Sequence, residues 1–138
     1  MTLTADDRLE ILELYARYSH AVDAKDGQAW IDCWVPDGVF SPSVGPTAGQ
    51  IYQGHTALRE FADTRPDNYP RARIWTGNHV LTEKDGFVEG TCYGKTVDVS
   101  SAEPRITAHY IYHDQIVKDD GTWRFRSRRP VLDVEIDR

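Results

Sequence analysis

From residue 71 onward the chain is written almost entirely in long extended segments, and that block constrains the fold more than any other feature. Segments near 71–83, 87–100 and 105–118 are rich in Val, Ile, Thr and Tyr, and they are punctuated by Asp85-Gly86 and by Ser100 to Pro104. A fourth, carrying Trp123, Phe125 and Val131, follows the turn Asp119-Asp120-Gly121. Strands joined by such short turns pair antiparallel with their sequence neighbours, as a meander. The half that precedes them is helical. Helices first and a meander after predict an α+β fold, with helices packed on one face of a curved antiparallel sheet.

The helical half has its own punctuation. Thr4 with Asp7 three residues later has the pattern of a capping box, in which each side chain satisfies a free backbone N–H. The first helix then runs to about Ala24. With Tyr15 as zero and ~100° per residue, Ile11, Leu12, Tyr18, Ser19 and Val22 fall near it, whereas Glu10, Glu13, Arg17 and His20 face away. Asp23 lands on the rim of the buried arc. A second short helix after Asp26 places Trp30 and Trp34 one turn apart, and Asp37-Gly38 turns the chain into an apolar strand from Val39. Residues 41–50 read as a loop that can cover a pocket. A third helix spans Thr56 to Thr64, with Leu58 and Phe61 inward, and Pro66 to Pro70 ends it.

The 138 residues suit one domain, 1–138, with a core large enough to need neither metal nor disulfide. A net charge of -6 argues against nucleic acid and anionic membranes as partners. Cys33 and Cys92 lack CxxC spacing and read as small core residues in a reducing compartment. With no leader-like start and no apolar run of membrane length, the expectation is a cytoplasmic protein.

Asp23 is the leading chemical candidate, because an ionised side chain seldom sits at the edge of an aromatic-rich stripe without a partner or a task. A carboxylate in an apolar pocket suits proton transfer: desolvation raises its pKa toward neutrality and a Tyr or His donor fixes its orientation. His79 and His109 lie in strands and are further acid/base candidates. Arg124, Arg126, Arg128 and Arg129 alternate partly with apolar residues and read as a solvated strand face; within it, Arg128 is placed to brace Asp114 or another acid across the sheet rather than to bind substrate.

The order Leu14-Tyr15-x-x-Tyr18, Val22-Asp23-x-Lys25-Asp26, Trp30, Trp34, Asp37-Gly38-Val39-Phe40, Gly54, Phe61 and Asn78 resembles a SnoaL-like domain of the nuclear-transport-factor-two-like superfamily. So does the ending Tyr112-His113-Asp114, Asp120-Gly121, Trp123-Arg124-Phe125 and Arg128. The resemblance implies a cone-shaped curved antiparallel sheet that, with three helices, encloses a deep, largely apolar pocket. It extends to scytalone dehydratase, hexachlorocyclohexane dehydrochlorinase and a bile-acid dehydratase, which move protons in that cone without cofactor or metal. Their Asp at the end of the first helix matches Asp23, and the catalytic Tyr of the bile-acid enzyme matches Tyr18. Their strand His falls at Ile74 or Trp75, a departure that leaves His79 or His109 to partner the Asp.

The positions of a second His and of a substrate-binding Asn in scytalone dehydratase fall near Asp98 and at Tyr112; with Tyr15, Phe40 and Trp75 these are the candidate substrate-binding residues. The implied function is a cofactor-independent lyase or isomerase acting on a small cyclic, aromatic or polyketide-like substrate. The alternatives are a non-catalytic small subunit of an aromatic-ring dioxygenase or a small-molecule binding module. Apolar residues on both faces of the late strands, Ile106, Ile111, Ile116, Val117, Val131 and Val134, predict a homodimer or homotrimer that buries the outer sheet face.

Overall fold

The computed structural model of the protein describes residues 2–43, 47–64 and 71–133. Helix α1 (Ala5–Asp23) starts where the capping box places it, with the Asp7 amide donating to Thr4 Oγ1 and the Thr4 amide to the Asp7 carboxylate, each at 3.0 Å. It buries Ile11, Leu14, Tyr15, Tyr18, Ser19 and Ala21, whereas Leu12 is exposed. The short helix α2 (Gly27–Ile31) is capped by Asp26, whose carboxylate accepts from the Ala29 amide.

Trp34 differs from expectation. It opens strand β1 (Trp34–Phe40) rather than continuing α2, yet its ring still lies 5.5 Å from that of Trp30. A two-residue strand β2 (Tyr52–Gln53) and helix α3 (Gly54–Asp63) follow. The proline-marked end of that helix at Pro66 to Pro70 lies outside the described residues, as does Val134.

The late strands are the predicted meander: β3 (Ala72–Glu83), β4 (Val88–Asp98), β5 (Arg105–Asp119) and β6 (Thr122–Leu132). Asp120 and Gly121 both have positive φ, 49° and 80°, the requirement of the tight two-residue turn between β5 and β6. The six strands form one sheet in the order β2-β1-β6-β5-β4-β3, so β3 is an edge strand. The β1–β6 pair is parallel.

Among the described residues, three one-residue bulges interrupt the antiparallel ladders, each tightening the local twist, and the parallel β1–β6 ladder also slips between Trp34 and Val39. In β3 the register slips between Gly77 and Val80, where Asn78 has φ 56°. In β5 the extra residue is Thr107, between the pairs Thr96↔Ala108 and Val97↔Ile106. In β6 it lies between Phe125, opposite Ile116, and Ser127, opposite Gln115. Gly94 sits directly beneath the rings of Tyr110 and Tyr112, where a Cβ has no room.

The concave face and the helices share one core rich in aromatics, including Tyr15, Tyr18, Trp30, Trp34, Phe40 and Phe125. On the outer face Trp75, Tyr93 and Ile106 are exposed, and Tyr93, Ile111 and Val131 pair in a row across β4, β5 and β6. Ile116, one of the apolar residues expected on the two faces of these strands, takes the inner face and is fully buried in the concave core.

Candidate active site

Asp23 ends α1 beside the free edge of β3, and a cleft of about 700 Å³ opens between them, lined by Ser19, His20, Asp23, Arg71, Arg73 and Trp75 among others. The edge explains the contact. An edge strand presents backbone N–H groups with no neighbouring strand, and the Ile74 amide donates to Asp23 Oδ1 at 3.1 Å. Asp23 is half-buried, and it is the one carboxylate among the described residues lining the cleft. His20, three residues earlier and expected to face away, lines the same cleft; the i, i+3 spacing from Asp23 was the available signal.

Deeper in the cone is a second ionisable group. Arg128 is 1% exposed, and its Nε donates to Asp114 Oδ1 at 3.0 Å; the Tyr15 hydroxyl donates to Asp114 Oδ2 at 2.7 Å. The guanidinium lies over the Tyr112 ring at 3.5 Å, with Tyr18 at 4.2 Å, Phe125 at 4.5 Å and Tyr15 at 4.9 Å, a cationic group in a cage of ring faces. Burial opposes the charge on Arg128, but Asp114 and then the three phenols reverse that and hold its pKa well above the ordinary value. Burial pushes the Asp114 carboxyl upward, against the pull of Arg128 and the Tyr15 hydrogen bond. The bracing of Asp114 by Arg128 is as expected. The solvated strand face is not: Arg124 and Arg126 are partly exposed, but Arg128 faces inward.

A bulge decides which arginine enters the core. Trp123 and Phe125 point inward at period 2, which continued would send Ser127 and Arg129 inside; the extra residue after Phe125 shifts the parity to Arg128 and Pro130. The bulge in β3 does the same for His79, which turns inward while Asn78 and Val80 are exposed. His79 meets the Tyr15 ring edge-on at 4.5 Å. Burial and then the Arg128 cation lower its pKa from the ordinary histidine value.

The other expected site residues divide. Tyr18 is buried among Trp30, Trp34, Tyr112 and Phe125 and faces Arg128. Tyr15, Tyr112 and Phe40 are buried in the cone core, and Trp75, 61% exposed, borders the cleft. His109 is a correction. Its neighbour Tyr110 takes the inward position, so His109 points outward, 52% exposed, with Nδ1 bonded to Asp133, and it does not line the cleft. Asp98 is also outside the lining: it accepts from the Ser100 hydroxyl and amide, bonds that lower its pKa. Cys92 is buried, and burial pushes its thiol up to about 12, which makes it inert. No group of three His, Cys, Asp or Glu among the described residues is arranged to hold a metal ion, and no helix there is long and apolar enough to cross a membrane.

A family model for the SnoaL-like domain matches residues 3–129. The sequence matches no curated protein. Among solved structures the chain is similar to Rv3472, a protein of unknown function from Mycobacterium tuberculosis, with 28% identity over 94% of this chain and 73% of that one and a TM-score of 0.82. It is similar as well to a cystatin-like-fold protein of unknown function from Nostoc punctiforme, with 25% identity over 99% and 98% of the two chains and a TM-score of 0.83. A candidate scytalone dehydratase from Novosphingobium aromaticivorans shares the fold, at 17% identity over 93% and 85% of the chains and a TM-score of 0.76.

Proposed function

The chain belongs to the SnoaL-like domain family, and from that premise we propose that it is a cofactor-independent lyase or isomerase acting on a small cyclic or aromatic substrate with an acidic C–H bond. The observation that carries this reading is Asp23: a half-buried carboxylate at the wall of a cleft large enough for a two-ring molecule, with one backbone N–H fixing its orientation. In this mechanism Asp23 takes the proton from a carbon next to a carbonyl, the electron pair moves to the carbonyl oxygen as an enolate, and His20, which lines the same cleft, returns a proton. Return to carbon gives isomerisation; return to a leaving hydroxyl gives loss of water.

The Ile74 contact favours a second reading, in which Asp23 serves only to cap the sheet edge and the cone is a binding module or the small subunit of a ring dioxygenase. Asp23→Asn separates the two. The amide oxygen still accepts from Ile74, but the side chain no longer takes a proton. With hydroxylated aromatic and cyclic-ketone substrates and no added cofactor, turnover and solvent-deuterium exchange at the acidic carbon fall at least ~10²-fold, the lower range for a general base. Equal rates in the two proteins refute Asp23 as the base.

A further inference from the structure

Among the described residues, the buried side-chain polar atoms that lack a protein partner are mostly donors. They are Arg128 Nη1 and Nη2, Trp30 Nε1, Trp34 Nε1, Ser19 Oγ and His79 Nε2. Folded proteins leave few such groups, and each calls for an explanation. The two tryptophans and the guanidinium only donate, and Ser19 and His79 are able to donate. The buried carboxylate beside Arg128, Asp114, already receives the Arg128 Nε–H and the Tyr15 hydroxyl. The donor-only nitrogens of Arg128 and the two indoles thus lie with one buried carboxylate between walls of flat rings.

We propose that Arg128 is a ligand-binding residue whose two terminal amino groups receive an oxyanion, a carboxylate or enolate oxygen, carried on a flat ring. A planar guanidinium suits two oxygens of one carboxylate, and Asp114 holds its Nε so that the two outer amino groups keep a fixed direction. Helix α1 connects this group to the cleft. Tyr15, Ser19 and Asp23 follow at four-residue steps, with Tyr15 on Asp114, the unpartnered Ser19 hydroxyl between, and Asp23 about 12 Å along the axis from Tyr15 at ~1.5 Å per residue. Arg128 itself does not line the cleft whereas Ser19 and Asp23 do, so in this proposal a two-ring acid that reaches Arg128 enters past Asp23 and Ser19. The proposal rests on the cone being a ligand pocket and not on Asp23 being a base.

The test is calorimetric titration of the full chain with 2-naphthoate and with 2-naphthamide, which has nearly the same shape and no charge. Wild type binds the acid at least about tenfold more tightly, the scale of one charge-assisted hydrogen bond. Asp114→Asn withdraws the competing negative charge and strengthens acid binding several-fold further while the amide is unaffected. The pair Arg128→Gln with Asp114→Asn removes both buried charges together and abolishes the preference; if either protein fails to fold by circular dichroism, the other still decides. Equal binding of acid and amide, no binding of either, or a preference that survives in the double variant overturns the proposal. Asp23→Asn retains the preference, so failure of the base reading and failure of this one give different results.

Discussion

Asp114→Ala removes the carboxylate that accepts from Arg128 Nε. In the native protein both side chains of the pair are fully buried, and Asp114 takes a hydrogen bond from Arg128 Nε and another from Tyr15. Without the carboxylate, the guanidinium keeps its charge in a cage of rings and the Tyr15 hydroxyl loses its acceptor. Stranding one half of a buried pair costs about 3–5 kcal/mol. An unfolding entropy of about 2.1 cal/mol/K per residue gives about 0.29 kcal/mol/K for 138 residues, so the melting temperature falls by about 10–17 °C. The contrast is Asp114→Leu with Arg128→Met, which exchanges both charges for apolar volume and melts near or above wild type. Thermal and urea denaturation followed by circular dichroism measure both. An Asp114→Ala protein melting within about 3 °C of wild type, which is about 1 kcal/mol here, refutes the view that this pair is coupled in the core.

His79 gives a pH signature. Its pKa is depressed in the folded state by burial and by Arg128, and in the unfolded chain it returns to about 6.5, so the unfolded state binds the proton first on acidification. The stability tied to neutral His79 is full above about pH 6.5 and is lost as pH falls toward and through the folded pKa. The margin of wild type over His79→Gln in urea melts therefore shrinks between pH 7.5 and 5, and a constant margin contradicts it. The exposed outer-face residues Trp75, Tyr93 and Ile106 predict a homodimer or homotrimer, and a monomer in sedimentation at micromolar concentration rules that out.

Local sequence determined the elements and most of their ends. The capping box, the Asp26 cap and the Asp120-Gly121 turn each act within four residues, so the chain around them suffices to specify them. The same locality explains Asp23 as the last residue of α1. What it contacts was decided only in three dimensions, because the Ile74 amide is 51 residues away and is available only since β3 lies at the sheet edge. Trp34 was misplaced for a related reason: its strand is completed by a parallel partner, β6, nearly 90 residues later.

The arginines show the limit most plainly. Period-2 alternation in Trp123-Arg124-Phe125-Arg126 continues without visible interruption, and nothing in those residues announces the extra one that shifts the parity. The bulge shows only in the pairing with β5, where Phe125 is opposite Ile116 and Ser127 is opposite Gln115. With the parity shifted, Arg128 meets Asp114 and the tyrosines in the buried core. Had the ladder run on unbroken, Ser127 and Arg129 would have pointed inward and Arg128 would have faced solvent, with the same amino acids in the same order.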